Sequence, residues 1–159
     1  MKKYILVLSL LLTIGSLVAC TFDQNAMKTK EVNNQQEGTW EESAIFKSGR
    51  YKMIGVEEEL GFIYDDSEVT RFYPHKEQKY MWHLWGEPEK LKGNLKVTAT
   101  HNFSNEKVTV IESLPLGGAH NGADAHTPSL MSLPESGMWK LDAYVDDRLH
   151  GSIFVKVYE

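Results

Sequence analysis

Cysteine is almost absent: Cys20 is the only one in 159 residues. Without a second thiol no intrachain disulfide can form, so a folded part must hold together by packing alone. Once that one thiol is modified, thiolate zinc sites are excluded too, and any metal must take His, Asp or Glu as ligands. Positive charge is also scarce. Lys and Arg total 17 against 22 Asp and Glu, an acidic balance that argues against nucleic acid and against an electrostatic grip on anionic lipid. Internal repeats, coiled-coil heptads and long helical periods are missing. So are the Gly-x-Ser-x-Gly elbow, the phosphate-binding P-loop and His-Glu-x-x-His, which leaves no complete catalytic signature.

What is present begins at the N-terminus. Lys2 and Lys3 precede an apolar stretch over residues 4–18, broken only by Ser9, Thr13, Gly15 and Ser16. This is the layout of a secretory signal peptide and falls short of the ~20 apolar residues of a spanning helix. The stretch ends in Leu17-Val18-Ala19-Cys20, which resembles the lipobox of bacterial lipoproteins. The resemblance implies that residues 1–19 are removed and that Cys20 carries a diacylglycerol thioether, with the second acyl chain that durable anchoring requires. The simpler alternative is a plain signal peptide that happens to contain a cysteine. Loss of Lys2 and Lys3 takes the 17 basic residues to 15 against 22 acids, a net charge of −7. Residues 21–43 are polar with no apolar period and read as a flexible tether. Trp40 and Ile45-Phe46 mark where order begins. The expected division is therefore signal peptide 1–19, lipidated Cys20 and linker 20–45, and a folded domain 46–159.

Within that domain the periodicity is two. Leu95, Val97 and Ala99 alternate with Lys96, Thr98 and Thr100; Val108 and Val110 bracket Thr109; Trp139, Leu141, Ala143 and Val145 alternate with Lys140, Asp142 and Tyr144. Asp146-Asp147 offers a tight turn into Ile153, Val155 and Val157, a hairpin pattern. Residues 50–56, 61–64, 69–73 and 79–85 are further strand candidates, and a helical turn is expected at 128–131, where Pro128 suits a first helical position. About seven short antiparallel strands without a long helix predict an all-β fold, an immunoglobulin-like β-sandwich.

Three motifs in the C-terminal half resemble a family of small Bacillus-type lipoproteins of unknown function. They are Asn121-Gly122-Ala123-Asp124-Ala125-His126-x-Pro128-Ser129, Ser132-Leu133-Pro134-x-x-Gly137-x-Trp139-x-Leu141, and Leu149-x-Gly151-Ser152-Ile153. The similarity runs from about Gly49 to the C-terminus. It implies a secreted lipoprotein with an immunoglobulin-like domain and brings no assigned activity.

The densest polar constellation is residues 116–126, where His120, Asp124 and His126 sit among three glycines and three alanines. Three N/O ligands with an open position suit zinc or a similar divalent ion, with hydrolytic chemistry as the extension. The competing reading is structural: such a loop needs special turns, and Asp124 then accepts backbone N–H bonds. Ligand binding without chemistry is the third. His101 extends the Leu95/Val97/Ala99 face and joins the candidate ligands. His83 and Trp85 share one face of their strand, opposite Trp82 and Leu84. Trp85 with His83 is thus a candidate aromatic platform for a sugar ring or partner, unless both sheet faces are covered locally. The acids Asp65-Asp66 with Glu68, and Glu57-Glu58-Glu59, invite calcium. No Asp-x-Asp-x-Asp-Gly loop is present, and solvated loop acids explain them better.

The expectation is a monomeric, extracytoplasmic, lipid-anchored binding or envelope-interaction module with no nucleic-acid partner and no cofactor beyond the lipid on Cys20. Replacing Cys20→Ser should move the protein from the membrane pellet to the soluble fraction. Unchanged membrane retention of that variant would rule out the lipobox assignment.

Overall fold

A computed structural model describes residues 40–159, which contain nine strands and no helix. Cys20 and the signal-peptide and linker assignments up to residue 39 lie outside the described residues. The strands are β1 (Ile45–Ser48), β2 (Tyr51–Val56), β3 (Leu60–Ile63), β4 (Gln78–Leu84), β5 (Asn94–His101), β6 (Lys107–Pro115), β7 (Ala125–Met131), β8 (Gly137–Val145) and β9 (Arg148–Val157). They form a five-stranded sheet of order β1-β2-β3-β4-β7 and a four-stranded sheet of order β6-β5-β8-β9. Every pairing is antiparallel. The order in which β4 to β9 cross between the sheets is that of strands B, C, C′, E, F and G in immunoglobulin-like sandwiches.

The alternating patterns point their apolar sets at a common core. Leu95, Val97 and Ala99 of β5, Trp139, Leu141, Ala143 and Val145 of β8, and Ile153, Val155 and Val157 of β9 are all buried. They face Ile54, Leu60, Phe62, Trp82 and Leu84 of the other sheet. Trp82 lies 5.0 Å from Phe62 between ring centroids and donates its indole N–H to Ser129 Oγ at 3.1 Å, so its one polar atom is satisfied inside. The hairpin at Asp146-Asp147 forms as expected, with φ of 46° and 62° at the two positions, as the two-residue turn between twisted strands requires.

Three expectations change. The strand count rises from about seven to nine, because β1 and β7 carry weak patterns. Residues 128–131 are the end of strand β7, not a helical turn. There Ala125, Thr127, Ser129 and Met131 face inward and His126, Pro128 and Leu130 face outward; small and polar residues on the inner face hid the alternation. Pro128 is tolerated because β7 is an edge strand, where a missing N–H on the free side breaks no ladder bond. Residues 69–73 are not a strand. Asp65 accepts from Ser67 N and Thr70 Oγ1, which coils the segment into turns and tucks Phe72 against Tyr80 at 4.5 Å. Trp40 packs on the sandwich, its ring meeting Phe154 edge-on at 5.3 Å. Ser43 N donates to Phe154 O at 2.9 Å just downstream.

Two substitutions test this packing. Trp82→Ala should cost about 3–5 kcal/mol in urea unfolding, the range for emptying a fully buried aromatic site. Thr98 Oγ1 is buried without a hydrogen-bond partner, so the near-isosteric Thr98→Val should be neutral or stabilising by up to about 1 kcal/mol. A large loss for Thr98→Val would mean that the hydroxyl is satisfied in solution.

Candidate functional site

The glycine-rich segment 116–124 links β6 to β7 and folds over the outer face of the five-stranded sheet. Gly117 first pairs with His126, through Gly117 N to His126 O at 2.7 Å and His126 N to Gly117 O at 3.3 Å. A Cβ at Gly117 would come within 2.9 Å of the His126 ring, so only glycine lets the backbone pass this close. The loop then reverses in a two-residue hairpin, with His120 and Ala123 exchanging backbone bonds of 3.0 and 2.9 Å. Asn121 and Gly122 take φ of 49° and 85°, the left-handed conformations for which Asn-Gly is suited. The tip is pinned by two donors: Ser48 Oγ to Asn121 O and Trp85 Nε1 to Gly122 O, both at 2.7 Å.

Beneath the tip lies His83, fully buried. Its position follows from register: β4 sets it between Gly61 of β3 and His126 of β7 on the outward face. His83 Nδ1 is 3.1 Å from Met81 O. A carbonyl can only accept, so Nδ1 carries the proton and Nε2 takes the Asn121 amide at 3.2 Å. Burial, opposed in part by the Met81 carbonyl, pushes the imidazole pKa down to about 4. The ring is neutral at physiological pH. His120 stacks 6.0 Å from His83, and 4.6 Å separates His120 from His126. His126 Nδ1 donates to Gly118 O at 2.7 Å.

The expected set of His120, Asp124, His126 and His101 is therefore only partly assembled. His120 and His126 meet, and His83 joins them. Asp124 does not: its Oδ2 accepts Gly86 N at 2.9 Å, the backbone-capping role of the structural reading. His101 stands at the far end of β5, about 23 Å along the strand from Asn94 at ~3.3 Å per residue. There its Nε2 bonds Ser136 O at 3.1 Å, its Nδ1 meets Ser104 Oγ at 3.0 Å and its ring packs on Trp139 at 4.8 Å. Both nitrogens are used locally, so it is no ligand for this loop. Among the described residues no three ligating side chains already converge on one point.

The aromatic platform also changes. His83 is covered and presents no surface. Trp82 points into the core, while Trp85 faces outward, half-buried, edge-on to Phe46 at 6.0 Å. Trp85 borders a groove of about 550 Å³ with Gly86, Glu87, Lys90, Arg148, Leu149 and His150. The β2–β3 turn holds this end together through the Glu59 carbonyl, which accepts Trp85 N at 3.0 Å and His150 Nε2 at 3.1 Å. The calcium candidates are engaged elsewhere. Asp66 is clasped by Arg71 Nε at 2.8 Å, which holds its carboxyl down to about 2, and it also accepts Tyr158 OH at 3.0 Å. Glu57, Glu58 and Glu59 make the exposed β2–β3 turn.

The neutral, buried His83 gives a signed expectation. Its folded pKa lies below the ~6.5 of an exposed imidazole, so between those values the unfolded chain binds the extra proton. Stability should fall as pH drops from about 6.5 to 4, by up to about 3 kcal/mol, and level off below that range. Urea titrations of wild type and His83→Gln across pH 4–7 check this. An equally steep slope in both proteins would remove His83 as the cause.

Comparison with known proteins places the chain in a family. None of the curated proteins matches the chain. A crystal structure described as that of a putative lipoprotein from Bacillus anthracis is similar at 20% identity, with a TM-score of 0.57, covering 75% of this chain and 86% of that one. At that identity the likeness is one of fold. The family model described as Domain of unknown function (DUF4871) matches residues 30–155, most of the chain, and the protein belongs to that family.

Proposed function

We propose that the protein is a lipoprotein anchored through Cys20 on the extracytoplasmic face of the membrane, whose β-sandwich serves as a non-enzymatic binding module for a cell-envelope or protein ligand. The anchor rests on Leu17-Val18-Ala19-Cys20, and the description of the Bacillus anthracis relative as a putative lipoprotein is in keeping with it. The observation that carries the binding role is the groove at Trp85. It lies where the β4–β5 loop meets the β8–β9 turn, and loops at the end of a sandwich are free to vary without disturbing the core.

Its lining combines an aromatic ring with groups of both charges. The Trp85 indole N–H is committed to Gly122, which leaves the ring for stacking or apolar contact. Leu149 is exposed at 57% and widens the apolar floor. Lys90 and Arg148 offer donors, and Glu87 offers acceptors. Such a mixture suits a glycan or a peptide, in which apolar faces alternate with polar edges.

A binding screen of the anchored protein against peptidoglycan fragments, envelope glycans and peptides tests the reading. For a ligand so identified, Trp85→Ala should weaken binding at least tenfold. Because Trp85 also holds the loop tip, Leu149→Ala and Arg148→Ala provide a second measure at exposed positions, each expected to weaken binding severalfold. Full affinity in all three variants would take the site away from this groove.

A further inference from the structure

We propose that His83, His120 and His126 form a binding site for one divalent transition-metal ion of the Zn²⁺ or Cu²⁺ class, completed by rotation of the exposed His120 side chain. This goes beyond the binding-module reading and does not depend on it.

The first support is placement. His83 and His126 are direct partners in the β4–β7 ladder, so both side chains leave the same face with Cβ atoms about 5 Å apart. The hairpin tip brings His120 over them from the loop. Ring centroids lie 6.0 Å (His83 to His120) and 4.6 Å (His120 to His126) apart. Imidazoles on a tetrahedral ion with Zn–N of ~2.1 Å have centroids about 5 Å apart. The two observed separations bracket that spacing.

The second support is orientation. Both strand histidines hand their Nδ1 proton to a backbone carbonyl, Met81 O at 3.1 Å and Gly118 O at 2.7 Å. This fixes the tautomer that keeps the lone pair on Nε2. Metal-ligating histidines are held in this way, by a carbonyl or carboxylate on the ring nitrogen away from the ion. Burial keeps His83 in the neutral form that ligates. Its lone pair is now taken by the Asn121 amide at 3.2 Å, a single hydrogen bond on the hairpin tip that an ion would replace.

The third support is chemistry. A set of three neutral nitrogens with no carboxylate suits borderline ions and does not suit calcium or magnesium, which require oxygen. His120 lies at the exposed side of the cluster, so a fourth position opens to water or an anion there.

The test uses the full chain carrying Cys20→Ser, so that no thiolate competes, titrated with ZnCl₂ and separately with CuCl₂ by calorimetry. One equivalent should bind, with an upward shift in thermal unfolding, and CaCl₂ should have neither effect. His120→Ala and His126→Ala should each weaken binding at least tenfold, while His150→Ala, outside the cluster, should leave it unchanged. If His126→Ala disturbs the fold, His120→Ala decides alone, because that side chain is exposed. Electron paramagnetic resonance of the Cu²⁺ form should show three imidazole nitrogens. Absence of stoichiometric binding, undiminished affinity in His120→Ala, or fewer than three nitrogen ligands would overturn the proposal.

Discussion

The C-terminal end of strand β4, at His83, is covered on both faces, and the neighbouring loops are arranged around that constraint. Its inner residues Tyr80, Trp82 and Leu84 fill the space between the sheets. Its outer face would carry Met81 and His83, with Trp85 just beyond its end, into solvent in a simple sandwich. Instead Phe46, the Asn121–Gly122 tip and the ring of His120 lie over it. A polar side chain under such a cover needs partners on both ring nitrogens, because burying either one unpaired is costly. Met81 O and the Asn121 amide supply them. The loop that covers the strand is thus also the loop that satisfies it.

That arrangement separates two kinds of surface. The histidine side is assembled from three strands and a hairpin whose tip is fixed by Ser48 and Trp85. The groove side belongs to loops joined mainly through the Glu59 carbonyl and the Asp124 cap on Gly86. Trp85 stands between them, with its indole nitrogen committed to the hairpin and its ring bordering the groove. A ligand in the groove and a change at the hairpin would meet at that one residue.

Much of the fold was legible in the sequence because the core strands β5, β8 and β9 alternate cleanly and the Asp146-Asp147 turn separates two of them. What was not legible has specific causes. β7 presents alanine, threonine and serine to the interior, and its proline reads as a helix start. The trio of histidines depends on cross-strand register, which pairs residues 43 positions apart, 83 and 126, and leaves no local spacing to find. Asp124 looked like a ligand because it lies between two histidines in sequence, yet it is turned toward Gly86 across the loop. One signal was present and underused: Asn121-Gly122 is a strong two-residue hairpin dipeptide, and reading it so would have placed His120 and Ala123 as a pair facing back over the sheet.

Pro128 has a meaning at a larger scale. An open sheet edge offers unpaired N–H and C=O groups to any other copy of the chain, and so is a hazard. On β7 the proline withholds a donor from the free side, and the Gly117–His126 bridge occupies the positions beside it. A neighbouring copy therefore finds an interrupted ladder on which a strand cannot add in register. The unusual residue on the edge strand is thus a guard against edge-to-edge pairing between copies.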